Sequence, residues 1–155
     1  MQRVHLFTTS CEYDPSDPDG FRNGMARFGP SIGAERLGGS VYELPPGQSI
    51  CPYHYEHGDE EWLIVLVGHP TVRHPQGEEQ LGPGEAVCFP AGARGAHKVT
   101  NNTTETSRVL MLSTMNLPAV AVYPDSGKIG VFTKDGTDDA MMHRSQSVDY
   151  WDGES

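Results

Sequence analysis

No window of this chain repeats apolar residues at intervals of three and four over ten or more positions, as an amphipathic helix requires. Its apolar residues come in short runs, and turn residues close nearly every one: PPG at 45–47, HG at 57–58, GHP at 68–70, PQG at 75–77, GPG at 82–84 and NN at 101–102. The 18 glycines and 12 prolines are spread over all 155 residues, so the chain turns too often for long helices. The spacing predicts strands near 40–44, 49–56, 61–67, 71–73, 79–81, 86–89, 97–100 and 109–115, with a later pair near 120–123 and 130–132. Many short strands joined by Gly/Pro turns build a sandwich or a barrel, so the expected fold is all-β. One domain over 1–155 accommodates this, with a core at about 38–132. The N-terminal arm 1–37, turn-rich over 10–30, is expected to be irregular. The acidic tail 133–155 is expected to dock its DYW on the body.

The runs WLIVLV and VLML are apolar on both faces, so neither strand has a side suited to water. One face fills a barrel. The other needs a second layer, which a partner sheet, the folded-back arm or another subunit supplies, and a homodimer is expected.

Charge narrows the partners. Eleven Lys and Arg stand against 21 Asp and Glu, giving a net charge of −10, which disfavours nucleic-acid phosphates and anionic membranes. No apolar run approaches the roughly 20 residues of a membrane helix, and no signal-peptide core precedes the first strand, so the expected location is cytoplasmic. Cys11, Cys51 and Cys88 are odd in number and lack CxxC spacing, which argues against a disulfide framework. Cys88, in AVCF, reads as a small buried thiol, whereas Cys51 is placed to line a pocket.

The segment PYHYEHGDEEWLIVLVG, residues 52–68, sets two histidines and four acids directly against an apolar strand. In a strand His54 and Glu56 project to one face, and Glu61 opens the next strand beside them, sharing a face with Leu63 and Val65. Charged groups at the mouth of an apolar interior are tolerated when a cation pairs with them. A further ligand has to come from elsewhere, and His97 is the best placed. Two imidazoles with one or two carboxylates suit one divalent ion, Fe, Mn, Ni or Zn, leaving positions open for water or substrate.

These residues resemble the cupin family. Its first motif runs Gly, five residues, His-x-His, three or four residues, Glu, six residues, Gly. Here His54-x-Glu56, Glu61 and Gly68 follow it, except that glutamate replaces the second histidine and Gly47 stands six residues before His54. The second motif runs Gly, five residues, Pro-x-Gly, two residues, His, three residues, Asn. Gly84, Pro90, Gly92, His97 and Asn101 follow it, with two extra residues before the histidine. YPDSGK at 123–128 and the terminal DYWDGE resemble a subgroup of small bacterial cupins. The resemblance implies a double-stranded β-helix, or jelly roll, with the metal inside the barrel, and frequent dimerisation. It does not imply one reaction, because the fold hosts dioxygenases, isomerases, decarboxylases, lyases, sugar-binding regulators and storage proteins.

The expected ligands are therefore His54, Glu56, Glu61 and His97. A one-residue slip would turn Tyr55 and His57 inward in place of Glu56. Asp59 and Glu60 read as solvated turn charges, and His5, His69, His74 and His143 as surface residues. Trp62 alternates out of phase with Glu61 and is expected to pack in the opposite layer. Phe89 and Met111 read as core, and Tyr53 and Tyr55 as cover for the other face. Arg94, in the inserted segment before His97, is a candidate to hold an anionic substrate, against the plainer reading of a solvated loop arginine. No G-x-S-x-G, G-x-x-x-x-G-K-[ST] or strand-following G-x-G-x-x-G is present. Three functions remain open: dioxygenase- or isomerase-like chemistry on a small oxygen-bearing molecule, capture of a sugar or carboxylate without turnover, and a metal that only braces the barrel.

Overall fold

A computed structural model describes residues 1–154, and their regular structure is strand apart from three single-turn 3₁₀ segments. In chain order the strands are β1 (Glu12–Tyr13), β2 (Gly24–Arg27), β3 (Gly38–Leu44), β4 (Tyr55–Glu56), β5 (Glu61–Val67), β6 (Thr71–His74) and β7 (Gly77–Gln80). They continue as β8 (Ala86–Phe89), β9 (Lys98–Thr100), β10 (Ser107–Ser113), β11 (Ala119–Tyr123), β12 (Lys128–Phe132) and β13 (Ala140–His143). Three antiparallel sheets result, ordered β1-β2-β3-β10-β5-β8, β13-β12-β11-β4 and β7-β6-β9. Together they form the expected jelly roll. No helix of the described residues is long and apolar enough to cross a membrane.

Alternation along β5 decides what lies inside. Leu63 and Val65 are essentially inaccessible and pair with Met111 and Val109 of β10, so these side chains share one face. Leu44, Val72, Leu81, Phe89 and Val99 complete that interior core. On the opposite face Val41 and Leu110 are buried with Phe28, and Val4, Leu6, Ile64, Leu66 and Leu112 pack around them. The second layer demanded by these two-faced strands is thus supplied in part by the chain's own N-terminal arm. Arg108 fastens that arm, donating to the carbonyls of Leu6 and Thr9 and pairing with Glu43 at 2.8 Å.

Five expectations need correction. Residues 10–30 are not wholly irregular, because β1 and β2 extend the large sheet. Gly39 makes room for the following bend, since a Cβ there would stand 2.8 Å from the Phe28 ring. The tail adds β13 to its sheet, but its DYW does not dock: Tyr150 and Trp151 are 81% and 70% exposed and pack edge-to-face on each other. Segment 49–56 is not one continuous strand. Pro52 lacks an N–H, and the chain is pinned only at Ser49, Ile50, His54 and β4. Trp62 and Cys88 face outward as cross-strand partners at the sheet's edge. Trp62 is 43% exposed and donates to Glu60, and Cys88 is exposed rather than buried.

Candidate metal centre

The site begins with one rung of backbone hydrogen bonds. His54 N donates to His97 O at 3.1 Å, and His97 N donates to His54 O at 2.8 Å. Residues joined in this reciprocal way sit directly opposite each other and project to the same face. Both rings therefore point into the interior, where Glu61 arrives as the first residue of β5. His54 and His97 are buried, and the Glu61 side chain is 19% exposed.

Each imidazole has its tautomer set by a carbonyl. His54 Nδ1 lies 3.1 Å from Pro52 O, and His97 Nδ1 lies 2.9 Å from Gly95 O. A carbonyl only accepts, so Nδ1 carries the proton and Nε2 presents a lone pair. Glu61 Oε2 stands 3.8 Å from His54 Nε2 and 3.7 Å from His97 Nε2. Those gaps exceed a hydrogen bond, but donors bound at about 2.1 Å to one ion stand roughly 3 to 4 Å apart. The ligand atoms of His54, Glu61 and His97 all lie within 4.8 Å of one another. Two neutral nitrogens and one carboxylate are a donor set suited to a first-row divalent ion with open positions.

Gly95 is what lets the inserted segment reach this geometry. A Cβ at that position would lie 1.9 Å from Pro90 O, so only glycine permits the 3₁₀ turn Ala93–Gly95 to fold against the preceding proline. That turn delivers the carbonyl that holds His97.

The electrostatics are those of a charge kept from water. Burial pushes the Glu61 carboxyl up to about 7, and the charges of Glu56 and Asp59 push the same way. Burial and the neighbouring His54 lower His97 to about 3, and burial lowers His54 as well, so both rings stay neutral as ligands must be. His97 is stacked on Phe89 with ring centroids 3.7 Å apart, and His54 lies against Tyr123 at 5.9 Å. Beside the three donors is a cavity of about 220 Å³ walled by Tyr42, Ile50, Cys51, Val99 and Met111. Burial raises Tyr42 and Cys51 to about 12, so neither ionises near neutral pH.

The structure sorts the expected residues. His54, Glu61 and His97 converge, whereas Glu56 does not belong to that triplet. Its Oε2 is buried without a hydrogen-bond partner, and burial raises its carboxyl. His57 is exposed and packs its ring edge-on against Tyr55, so the alternative register is not adopted. Asp59, read as a solvated turn charge, is buried because it accepts from Thr114 Oγ1 at 2.9 Å and Asn116 N at 2.6 Å. Arg94 is exposed and does not line the metal-side cavity. Cys51 lines it as expected, and Met111 is both core and cavity wall. Tyr42 was not singled out from the sequence, although its even spacing from Leu44 on β3 carries the signal.

A jelly-roll barrel whose interior brings two histidines and one carboxylate together could hold a single divalent ion beside the cavity. Residues 40–113 match the family model described as Cupin domain. No curated protein matches the sequence. Among solved structures, a cupin-superfamily sugar phosphate isomerase from Silicibacter pomeroyi has a TM-score of 0.81 at 22% identity, covering 97% of this chain and 98% of its own. A protein from Acidithiobacillus ferrooxidans described as a putative sugar phosphate isomerase has a TM-score of 0.76 at 25% identity, covering 84% of this chain and 81% of its own. The polyketide cyclase RemF from Streptomyces resistomycificus has a TM-score of 0.61 at 26% identity, covering 77% and 83%.

Proposed function

We propose that this chain is a mononuclear metal protein of the cupin family that isomerises a small hydroxy-carbonyl compound of the sugar type. The observation that carries the reading is the convergence of His54 Nε2, His97 Nε2 and Glu61 Oε2 beside a cavity of about 220 Å³. A divalent ion bound there would polarise a substrate oxygen. The chain's own residues do the rest. Tyr42, Val99 and Met111 exclude water, and the carbonyls of Pro52 and Gly95 keep the rings from turning. Glu56 is assigned the proton that moves between substrate carbons, taking it as the carboxylate and returning it as the acid. Its Oε2 is buried without a partner, and burial raises its carboxyl, which strengthens it as a base. The likeness to the Acidithiobacillus ferrooxidans protein described as a putative sugar phosphate isomerase supports the reaction class.

The test is elemental analysis of protein purified without added metal, followed by a panel of pentose and hexose phosphates. Wild type is expected to carry near one equivalent of a transition metal and to interconvert an aldose and a ketose. His97→Ala should lose both properties, and Glu56→Gln should keep the metal and lose turnover. A metal-free wild type, or steady binding of the panel without product, defeats the isomerase reading. The same reading takes the chain as a single-domain cytoplasmic homodimer that covers the exposed Trp62 face. Sedimentation of wild type against Trp62→Glu tests the dimer, and two monomers would refute it.

A further inference from the structure

A second cavity of about 230 Å³ stands back to back with the metal side. Its apolar wall is Val72, Leu81, Val87, Phe89 and Ala96, and Arg94 joins its lining. It lies where two sheets come to an end, since β7 and β8 are edge strands of different sheets and both contribute to it. The partition between the two cavities is a pair of stacked rings: Phe89 lines this one, His97 lines the other, and they stack at 3.7 Å with planes 6° apart.

Arg94 is the uncommitted group. It makes no salt bridge among the described residues, in a chain with 21 acids. The other polar lining is already engaged. His74 lies 3.0 Å from Gln76 Oε1 on one nitrogen and 3.5 Å from Glu79 Oε1 on the other, and the Glu79 side chain is 71% exposed. An apolar recess with one free guanidinium asks for a ligand with one anionic head and an apolar body.

We propose that this second cavity binds a small organic anion, a carboxylate or phosphate monoester on a ring-sized apolar body, with Arg94 taking the charge. The body lies against Phe89 and Leu81. The site is independent of the isomerase reading, and it touches the metal centre only through the Phe89–His97 stack.

The test titrates benzoate and phenyl phosphate into the purified full chain, read by calorimetry and by the ring resonances of Phe89 and His97. Benzyl alcohol supplies the body without the charge, and inorganic phosphate supplies the charge without the body. At least one of the two organic anions should saturate and shift the Phe89 ring, and the preferred one identifies the head group. Both controls should bind at least tenfold more weakly. Arg94→Gln and Arg94→Glu, changes at an exposed position, should weaken binding by roughly 10- to 100-fold, the range for a lost charge-assisted hydrogen bond. Glu61→Gln, which disables the metal centre, should leave it unchanged. The proposal fails if neither organic anion saturates, if either control binds equally well, or if the Arg94 variants bind like wild type. Loss of binding in Glu61→Gln also overturns it, by placing the anion on the metal. Metal content in the Arg94 variants reports separately on the first reading.

Discussion

Replacing Glu61 by glutamine is expected to stabilise the metal-free protein at alkaline pH while abolishing its grip on a divalent ion. Burial holds the Glu61 carboxyl at about 7 instead of 4.5. A carboxyl whose folded pKa lies above its unfolded one favours the fold while protonated. That contribution is complete below about pH 4.5 and is lost as pH rises to about 7. The gap, at about 1.4 kcal/mol per pH unit, is a penalty of about 3 kcal/mol on the ionised, metal-free fold. Glutamine carries no such penalty, and its amide can donate to a histidine Nε2 lone pair. For a domain of this size the gain is about 6 to 12 °C in melting temperature. Thermal melts with chelator at pH 5 and pH 8.5 measure it. The variant's lead should be full at pH 8.5 and shrink to about 1 kcal/mol at pH 5. Added metal should reverse the order, since an ion at a thousand times its Kd stabilises wild type by about 4 kcal/mol and Glu61→Gln by nothing. A variant that melts at or below wild type in chelator at pH 8.5 would refute the claim that this carboxylate is an uncompensated buried charge.

Other consequences are open to measurement. Metal affinity should fall by up to tenfold per pH unit below about pH 7, where a proton competes for Glu61, with no contribution from His97, held at about 3. A chromophoric chelator measures this, and a flat profile from pH 7 to 5.5 would exclude Glu61 as the titrating ligand. Asn101 is fully buried and donates to Leu44 O and Glu105 O at 2.7 Å each, so Asn101→Ala should cost about 3 kcal/mol in urea unfolding. A loss below about 1 kcal/mol would show that the loop re-pairs those carbonyls. Gly95→Ala should displace the carbonyl that orients His97 and lower metal affinity by about 10- to 100-fold. Unchanged affinity would mean that the turn is not what positions the ring.

The strands most legible in the sequence were those whose side chains alternate between core and cover. β5 and β8 match their expected bounds because Gly/Pro turns bracket an apolar run. Strands β1, β2 and β13 are not legible because they are short and lie at or next to a sheet edge in polar, turn-rich sequence, where backbone pairing rather than side-chain pattern decides. The centre was legible for His54, Glu61 and His97 because motif spacing encodes a cross-strand meeting. It was less so for Glu56: the interruption at Pro52 leaves β4 only two residues long, and parity along a broken strand does not decide which side chains meet. Asp59 misled for a related reason. Its partners Thr114 and Asn116 lie in a distant loop, and nothing local distinguishes a buried acid so satisfied from a solvated one.

The reciprocal rung between His54 and His97 would make ion capture at the proposed centre a checkpoint of chain closure. Neither nitrogen meets the other until two distant stretches of chain have annealed in correct phase, so a half-assembled barrel offers the ion no purchase. A spectroscopic probe such as cobalt would therefore colour only molecules that have zipped shut, and the kinetics of its uptake would clock that final step.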